Sequence, residues 1–378
     1  MPTRRGTTSP RSPSGESRPR RASYATSGVN TDKEESGLKS LVHHLRETLA
    51  TRPAGLGHVE LDFGYFANVI DVGGIGLAIS TDGVGSKLLI AQLMDRYDTV
   101  GIDCIAMNVN DVLCVGAEPL SMVDYIAVQQ PNPRLLTELA QGLAKGAITA
   151  GITIPGGEIA QVRDIIKGER AGYGFDLAGT AVGTVPLDQI RIGRDIEPDD
   201  VVLGLRSSGI HSNGMTLARR LLKKHAVTTR FDELGQTLGD ELLVPTRIYV
   251  KEVVEVLNAG VDVKALIHVT SDGLLNLLRV ASDAGYLIHF LPEPQPIFGV
   301  IQREASVSTE EMYRVYNMGV GFCLVVSHRG DHVAHATEIL KRHNVECYEI
   351  GRAVADPAQA VVIEPVHLLG KDGRFRAI

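Results

Sequence analysis

Residues 81–87, which read T-D-G-V-G-S-K, carry the first group of side chains that could do chemistry. They follow the apolar run 75–79, which is typical of a strand that ends in a turn at residues 81–83. Two glycines would allow positive φ and a close approach of the backbone to a ligand, and free N–H groups with a lysine suit a polyphosphate. Asp82 is suited to Mg²⁺, and a helix is expected to start near Lys87. The candidate nucleotide-binding residues here are Asp82, Gly83, Gly85, Ser86 and Lys87. An ordinary loop between a strand and a helix is the alternative.

A second stretch, residues 102–115, repeats apolar residues at the spacing of a helix that is apolar over most of its surface. Asn108 and Asp111 lie three residues apart and therefore share one face of this helix. Because burying a lone carboxylate is costly, Asp111 is expected to pair with a cation or a metal. The alternative is a structural ion pair with a lysine or an arginine.

A carboxylate also follows two glycines after the short apolar run 152–155. Gly156 and Gly157 predict a turn on which both the backbone and the Glu158 carboxylate can reach a ligand. A solvent-exposed glutamate on a turn is the alternative.

Residues 207–214, S-S-G-I-H-S-N-G, form a polar loop between the predicted strand 201–206 and a predicted helix over 215–224. Hydroxyl, amide and N–H groups at a helix N-terminus suit an anionic group. His211 could donate to a phosphate or transfer a proton, with a purely structural histidine as the alternative. The candidates are Ser207, Ser208, Gly209, His211 and Asn213.

The composition is that of a globular protein, with 44% hydrophobic and 22% charged residues in 378. The longest apolar runs fall short of the roughly 18 residues that span a bilayer, so we expect no membrane segment. The four cysteines show no C-x-x-C pairing, which indicates reduced thiols and a cytoplasmic location.

The charge is unevenly distributed along the chain. Residues 1–23 hold six arginines against one glutamate, a charge of about +5. Because the net charge of the protein is −7, the rest of the chain, called the body here, carries about −12. Such a body disfavours nucleic acid as a partner. The Ser-, Pro- and Arg-rich residues 1–30 are predicted to be a disordered, dispensable tail, with a transit peptide as the alternative. We expect one domain over 31–190 and a second over 191–378.

Seven motifs occur in an order that resembles the phosphoribosylformylglycinamidine cyclo-ligase family, the aminoimidazole ribonucleotide synthetases of purine biosynthesis. They are T-D-G-V-G-S-K, G-I-D-C-I-A-M-N-V-N-D-V, G-A-E-P-L, G-G-E, S-S-G-I-H-S-N-G, P-T-R-I-Y-V-K and E-M-Y-R-V-Y-N-M-G-V-G. The resemblance extends from about residue 24 to 362, nearly the whole chain.

The resemblance implies an α/β (α+β) fold of two domains, with a C-terminal mixed sheet flanked by helices and an N-terminal domain that forms a dimeric β-barrel. It implies ATP and Mg²⁺ as cofactors and formylglycinamidine ribonucleotide as the substrate of a homodimer. The reaction would phosphorylate the formyl amide oxygen, after which the ring closes. Under this resemblance Lys87, Glu158 and His211 are the catalytic candidates, Asp82 and Asp111 hold the metal, and the loops at 156–158 and 207–213 bind the substrate.

The sequence departs from the family at three places. Ser86 stands where threonine is commoner, and G-G-E-I-A-Q replaces G-G-E-T-A-E. T-S-D-G replaces T-G-G-G at residues 270–273, which makes Asp272 either a third metal ligand or the cap of the following helix. S-D-G-L-L is similar to thiamine-monophosphate kinases, and such a small-molecule kinase is the alternative function.

Other relatives of this scaffold fit the sequence less well. Selenophosphate synthetases carry a reactive cysteine near the N-terminus, whereas residues 1–103 contain none. Hydrogenase-maturation dehydratases end in a modified cysteine, whereas this sequence ends R-F-R-A-I. A binding or scaffold protein would be expected to lose Asp82, Lys87 or Asp111, and all three are present.

Overall fold

Two β-sheets, one in each half of the chain, organise residues 31–356 and 358–378, which this computed structural model describes. Side chains are described from residue 37 onward. The predicted tail, residues 1–30, lies outside this part of the chain.

The first half contains a five-stranded sheet in the order β1-β2-β5-β3-β4, in which β3 and β4 are parallel and the other pairs antiparallel. Its strands are β1 (Asn68–Asp71), β2 (Ile75–Gly83), β3 (Glu118–Val128), β4 (Gly157–Gln161) and β5 (Phe175–Pro186). Its helices are α1 (Thr31–Arg46), α2 (Lys87–Met94), α3 (Val100–Leu113) and α4 (Pro133–Ala150), with 3₁₀ turns at Glu47–Thr51 and Leu187–Gln189. Between described strands this sheet is open, with β1 and β4 at its edges. The predicted barrel between two copies therefore stays a prediction.

Helix α3 is the element around which the first half is built. It packs against β2 and β5 on one side and α4 on another, and it also meets α7 and β7 (defined below) of the second half. Because it is enclosed on several sides, twelve of its fourteen residues are buried, including Asp103 and Asn108. A polar side chain on this helix therefore needs a partner, as the sequence predicted.

The second half contains an eight-stranded mixed sheet in the order β13-β12-β11-β8-β10-β6-β9-β7. Its strands are β6 (Val201–Arg206), β7 (Val263–His268), β8 (Ala284–Ile288), β9 (Val320–Val326), β10 (Cys347–Ala355), β11 (Val361–Ile363), β12 (Leu368–Lys371) and β13 (Arg374–Ala377). Its helices are α5 (Met215–Ala218), α6 (Leu238–Leu242), α7 (Val250–Asn258), α8 (Pro296–Ala305), α9 (Thr309–Val315) and α10 (His332–Arg342), with 3₁₀ segments at Arg219–Lys223, Gly273–Arg279 and Glu364–Val366. The two-domain α/β architecture with mixed sheets agrees with the prediction, and the predicted boundary near residue 190 lies between β5 and β6.

Several local expectations need correction. Strand β2 continues through Gly83, because its pairing with β5 extends to Ala178, so residues 81–83 are not a turn. Positive φ occurs at Gly85 (72°) and not at Gly83, which is extended. Glu158 lies on strand β4 rather than on a turn. Separately, helix α1 leaves apolar side chains exposed, with 56% of the Leu38 surface accessible.

In residues 31–356 and 358–378, no helix combines the length and apolar character needed to cross a membrane. All four cysteines are free thiols, of which Cys104, Cys114 and Cys323 are buried. Burial raises the pKa of these three thiols, so they are unreactive at neutral pH.

Candidate active site

Asp82 lies at the end of β2, where the side chain of Asn108 on α3 holds its backbone. Asn108 Oδ1 accepts from the Asp82 N–H at 2.9 Å, and Asn108 Nδ2 donates to the Asp82 carbonyl at 3.1 Å. Gly179 on β5 makes room for this contact, because a Cβ there would lie 3.1 Å from Asn108 Nδ2 and 2.7 Å from Met122 Sδ. The sequence predicted that Asn108 belongs to the site, and the structure assigns it the task of fixing Asp82.

Asp111 follows Asn108 by almost one helical turn and pairs with a histidine from the second half. Its Oδ1 lies 2.9 Å from Nδ1 of His268, the last residue of β7. His268 is fully buried, whereas the Asp111 side chain keeps 16% of its surface exposed. The partner is therefore neither the lysine nor the arginine considered from the sequence. A polar residue at the end of the apolar run V-K-A-L-I-H, just before a polar turn, is the signal that could have identified His268.

The electrostatics around the Asp82 and Asp111 carboxylates favour a bound cation. Burial raises the pKa of Asp82 to about 6, and the negative charge of Asp111 adds to that rise. The Gly83 N–H and His268 act in the opposite direction. Two partly exposed carboxylates, one of them with a raised pKa, form an oxygen donor set that suits Mg²⁺.

Asp124 on β3 is a further acidic residue that the sequence reasoning missed. It lies on the face of the sheet that carries α3, in the same row as Asp82, with Gly179 between them in the pairing. Burial raises the pKa of Asp124. Only the register of β5 between β2 and β3 brings these two carboxylates into one row, so no local motif indicates it.

Asp272, the third metal ligand considered from the sequence, lines a cleft of different composition. Among the described residues, the ligand atoms of Asp82, Asp111 and Asp272 do not gather within 4.8 Å of one another; the three side chains that do are the exposed His43, His44 and Glu47. Asp272 lines this cleft, which has a volume of about 330 Å³, with Asn276, Gln359 and Asp372, among others. It precedes the 3₁₀ segment Gly273–Arg279, and its side chain makes no capping hydrogen bond. The capping role is therefore not observed, the metal role stays a prediction, and the positive φ of 72° is the local feature that distinguishes this residue.

Lys87 starts α2 as predicted, but its ammonium group points into the interior. Lys87 Nζ donates to Asp103 Oδ1 at 2.9 Å and to the carbonyls of His211 at 3.2 Å and Val244 at 2.6 Å. The side chains of Lys87 and Asp103 are both fully buried. A phosphate ligand needs an accessible donor, so this geometry does not support the predicted contact between Lys87 and ATP.

His211 is likewise an interior residue. It is 1% exposed, and its Nε2 accepts from the Ser208 N–H at 3.2 Å, while its Nδ1 is buried without a hydrogen-bond partner. Burial holds the pKa of His211 well below its usual range, with the charges of His268 and Lys87 acting in the same direction, so the ring is neutral. A neutral, enclosed imidazole is poorly suited to exchange protons with a substrate, and the catalytic role predicted for it gains no support here.

Ser208 and Asn213 of the loop at 207–214 bind other segments of the second half, and Thr216 just after the loop meets the first half. Ser208 Oγ donates to the Pro245 carbonyl at 2.6 Å, and Asn213 Oδ1 accepts from Ser271 Oγ at 3.2 Å. Ser86 Oγ, next to Lys87 in the first half, lies 3.0 Å from Thr216 Oγ1 at the start of α5. Ser207 is buried beside Gln295, and Gly209 has a positive φ of 154°, which favours glycine.

Glu158 lies apart from Asp82 on the other face of the first sheet. It pairs with Tyr125, whose side chain is exposed on the outer face, whereas its neighbour Gly157 pairs with Asp124. A Cβ on Gly157 would lie 2.7 Å from the Asp124 carbonyl oxygen, so only glycine fits there. Gly156 has no atom of another residue within 4 Å of a Cβ position. The catalytic role of Glu158 stays a prediction.

Comparison with known proteins identifies the family. Residues 65–185 match the family described as AIR synthase related protein, N-terminal domain, and residues 197–364 match its C-terminal domain. A phosphoribosylformylglycinamidine cyclo-ligase of Methanothermobacter thermautotrophicus is 49% identical over 320 residues, which cover 84% of this chain and 90% of that protein. One of Thermococcus kodakarensis is 46% identical over 335 residues, 88% of this chain and 96% of that protein. The chain belongs to the phosphoribosylformylglycinamidine cyclo-ligase family. This confirms the family predicted from the seven motifs.

Solved structures share the fold of this family at low identity. The HypE–HypF complex aligns with a TM-score of 0.58 at 18% identity, over 83% of this chain and 92% of that one. AaThiL complexed with AMPPCP and TMP aligns with a TM-score of 0.58 at 15% identity, over 86% of this chain and 92% of that one. At these identities the likeness concerns the fold alone.

Proposed function

We propose that this protein closes the imidazole ring of aminoimidazole ribonucleotide from formylglycinamidine ribonucleotide, with conversion of ATP to ADP and phosphate. The observation that carries the proposal is the electrostatic coupling of Asp82, held by Asn108, with Asp111, held by His268, in a chain 49% identical to a cyclo-ligase. The alternative, a kinase of thiamine monophosphate, rests on the resemblance of S-D-G-L-L at residues 271–275, whereas the cyclo-ligase relatives match most of the chain at 40–49% identity.

The chemistry follows from the poor leaving ability of an amide oxygen. The γ-phosphoryl group of ATP is transferred to the formyl oxygen, and the amidine nitrogen then attacks the formyl carbon. The C–O bond breaks, the oxygen leaves with phosphate, and loss of a proton from nitrogen completes the ring. The protein's part is to hold the two reactants in line and to offset the negative charge of the phosphates.

We assign Mg²⁺ to the carboxylates of Asp82 and Asp111. When bound, Mg²⁺ would offset charge on the ATP phosphates. Asn108 orients Asp82 through its backbone, and His268 Nδ1 orients the Asp111 carboxylate, so both oxygen donors are preorganised. Burial and the charge of Asp111 raise the pKa of Asp82, and a bound cation would offset both effects.

The substrate is assigned to the space between the first sheet and the loop at 207–214. Asp82, Gly179, Asp124 and Gly157 form one row across four strands, so Asp82 and Gly157 lie about three strand spacings, or roughly 14 Å, apart. This span suits two nucleotide-sized reactants lying side by side. Ser208 and Asn213, both partly exposed, offer a hydroxyl and an amide to the anionic end of the substrate.

We further propose a homodimer formed through the outer face of the first sheet. Val123 and Tyr125 expose 46% and 44% of their surface there, and the pairing of β2, β5 and β3 aligns Ile79, Val182 and Ser121 on the same face. An apolar sheet face of this kind is usually covered by a partner. A second copy of the chain would cover it and join two open sheets.

The activity is tested with purified protein and a matrix of substrates. ATP with formylglycinamidine ribonucleotide should release phosphate and form the aminoimidazole, and neither compound alone should do so. ATP with thiamine monophosphate should give no transfer. Asp82→Asn and Asp111→Asn should lose most of the turnover while remaining folded. Transfer to thiamine monophosphate, or turnover unaffected by both substitutions, would show that the proposal is wrong.

A further inference from the structure

We propose that Lys87 and Asp103 form a buried positioning pair that fixes the loop at 207–214 against the first domain and thereby sets KM for the substrate. The pair would act through the loop without touching a phosphate. The inference rests on the proposed function in one respect, namely that this loop binds the substrate.

Both members of the pair come from the first half of the chain, and almost all their other partners come from the second half. Lys87 Nζ donates to the carbonyls of His211 and Val244, 124 and 157 residues away in sequence. Lys87 thereby holds the backbone of the loop itself. His211 has a φ of 61°, which a residue with a side chain adopts rarely, and its carbonyl is one of the two that Lys87 binds.

Asp103 binds the same region from the other side. Its Oδ1 accepts from Ser212 Oγ at 3.1 Å, from the Thr246 N–H at 2.7 Å and from Thr246 Oγ1 at 2.7 Å, in addition to Lys87 Nζ. Ser212 and Thr246 also lie within 2.9 Å of each other through their hydroxyls. The pair and these two hydroxyls form one network centred on Asp103 Oδ1, while Asp103 Oδ2 is buried without a hydrogen-bond partner.

The network connects the loop at 207–214 to the segment that carries Asp82, because Lys87 is close to Asp82 in the chain. Lys87 stands five residues after Asp82, on the helix that follows the turn at Gly85. A displacement of the loop at 207–214 would therefore change its distance from the segment that carries Asp82. Buried ion pairs add little net stability compared with apolar side chains, and fixing one geometry is the role in which they are best attested.

The alternative hypothesis is that the Lys87 side chain moves out of the interior and binds a phosphate. Such a movement would break three hydrogen bonds of Lys87 and leave the Asp103 carboxylate buried without its counter-charge. That cost is large compared with what one exposed lysine-phosphate contact returns.

The two readings differ in which ligand a substitution affects. We would prepare Lys87→Met, Asp103→Asn and the charge-neutral double variant, and measure kcat, KM for formylglycinamidine ribonucleotide, and ADP affinity by calorimetry. If the pair positions the loop, each single variant should raise KM by about ten-fold or more, while ADP affinity stays within about two-fold of the wild type. The KM of the double variant should be no higher than that of the more impaired single variant. Lys264→Met is the matched control, because Lys264 is a largely buried lysine paired with Asp195 and Asp262 away from the loop. It should leave KM unchanged.

Three results would overturn the proposal. Weaker ADP binding in Lys87→Met, with normal binding in Asp103→Asn, would make Lys87 a phosphate ligand. Lower thermal stability with unchanged KM would make the pair merely structural. Unchanged KM in Ser208→Ala and Asn213→Ala would remove the substrate from this loop, and wild-type turnover in the same assay would show that the activity itself stands. If a single variant does not fold, the double variant decides alone, since positioning requires it to bind ADP normally with a raised KM.

Discussion

Asn108 brackets the backbone of Asp82, accepting from its N–H at 2.9 Å and donating to its carbonyl at 3.1 Å. The side chain is fully buried on α3, so it links the most enclosed helix of the first domain to the carboxylate at the end of β2. A site residue is thus fixed through its main chain, which leaves its carboxylate available to a ligand.

Asn108→Leu should destabilise the protein and also raise its Mg²⁺ requirement. The substitution leaves a donor and an acceptor of Asp82 without partners, which costs about 1–3 kcal/mol for each buried group. Urea unfolding measures the first effect and a Mg²⁺ titration of activity the second. Asn68→Leu is the control, since Asn68 bridges the Leu61 carbonyl and the Val69 N–H at β1. An equal change in Mg²⁺ requirement in both variants would contradict the role given to Asn108.

Asp82→Asn should stabilise the metal-free protein at pH 8 and have little effect at pH 4. Burial and Asp111 raise the pKa of Asp82 from 3.8 to about 6, so the folded state keeps a proton that the unfolded chain has released. Stability therefore falls as pH rises through this window, and the penalty is fully present above about pH 6. The shift corresponds to roughly 2–3 kcal/mol. Urea unfolding in EDTA at both pH values measures it, and an equal effect at pH 4 and pH 8 would refute the assignment. Added Mg²⁺ should reverse the order at pH 8, because only the wild type binds it fully.

Gly157→Ala should disturb the edge strand that carries Glu158, whereas Gly156→Ala should not. A Cβ at Gly157 would lie 2.6 Å from Asp124 Oδ1 and 2.7 Å from its carbonyl oxygen, and the backbone cannot move aside. Overpacking of this kind costs about 1–3 kcal/mol. Gly156 has open space, so its alanine variant is the matched control. Thermal unfolding compares the two, and equal stabilities would mean that β4 is not held against Asp124 as described.

Asp272→Gly should keep the Mg²⁺ requirement of the wild type and be at least as stable, while Asp272→Ala should be less stable. The φ of 72° at this position favours glycine, and alanine there costs about 1 kcal/mol. Activity against Mg²⁺ concentration, together with thermal unfolding, tests both statements. A clear rise in the Mg²⁺ needed by the glycine variant would return Asp272 to the metal site.

Val123→Asp should dissociate the proposed dimer. A carboxylate in the middle of the outer sheet face would be desolvated by a second copy, at a cost of several kcal/mol. Sedimentation at micromolar concentration gives the mass. Ile165→Asp is the control, because Ile165 is 79% exposed on a loop outside the strands of the sheet. A wild type that sediments as a monomer with full activity would remove the dimer from the proposal.

The sequence by itself determined the family, the two-domain α/β class and most strands and helices. Strand β6 begins and ends at the predicted residues, because its apolar pattern is continuous and local. Asp82 and Asp111 could also be selected, since each belongs to a motif in which a carboxylate sits beside apolar elements. The turn at 81–83 was wrong because pairing with a strand nearly 100 residues away extends β2 through Gly83.

Only the tertiary structure decided what the polar side chains face. Lys87 and His211 belong to motifs that resemble phosphate and proton-transfer sites, yet both are buried, because the second domain closes over α2 and α3. His268 was missed, and the neighbours of Asp272 could not be foreseen, for a related reason. His268 contacts Asp111, and Asp272 lines a cleft with the segments near residues 359 and 372. These partners are all far away in sequence. Local propensity determines where a side chain stands along an element, whereas its burial, and hence its pKa and its availability to a ligand, depends on packing between distant segments.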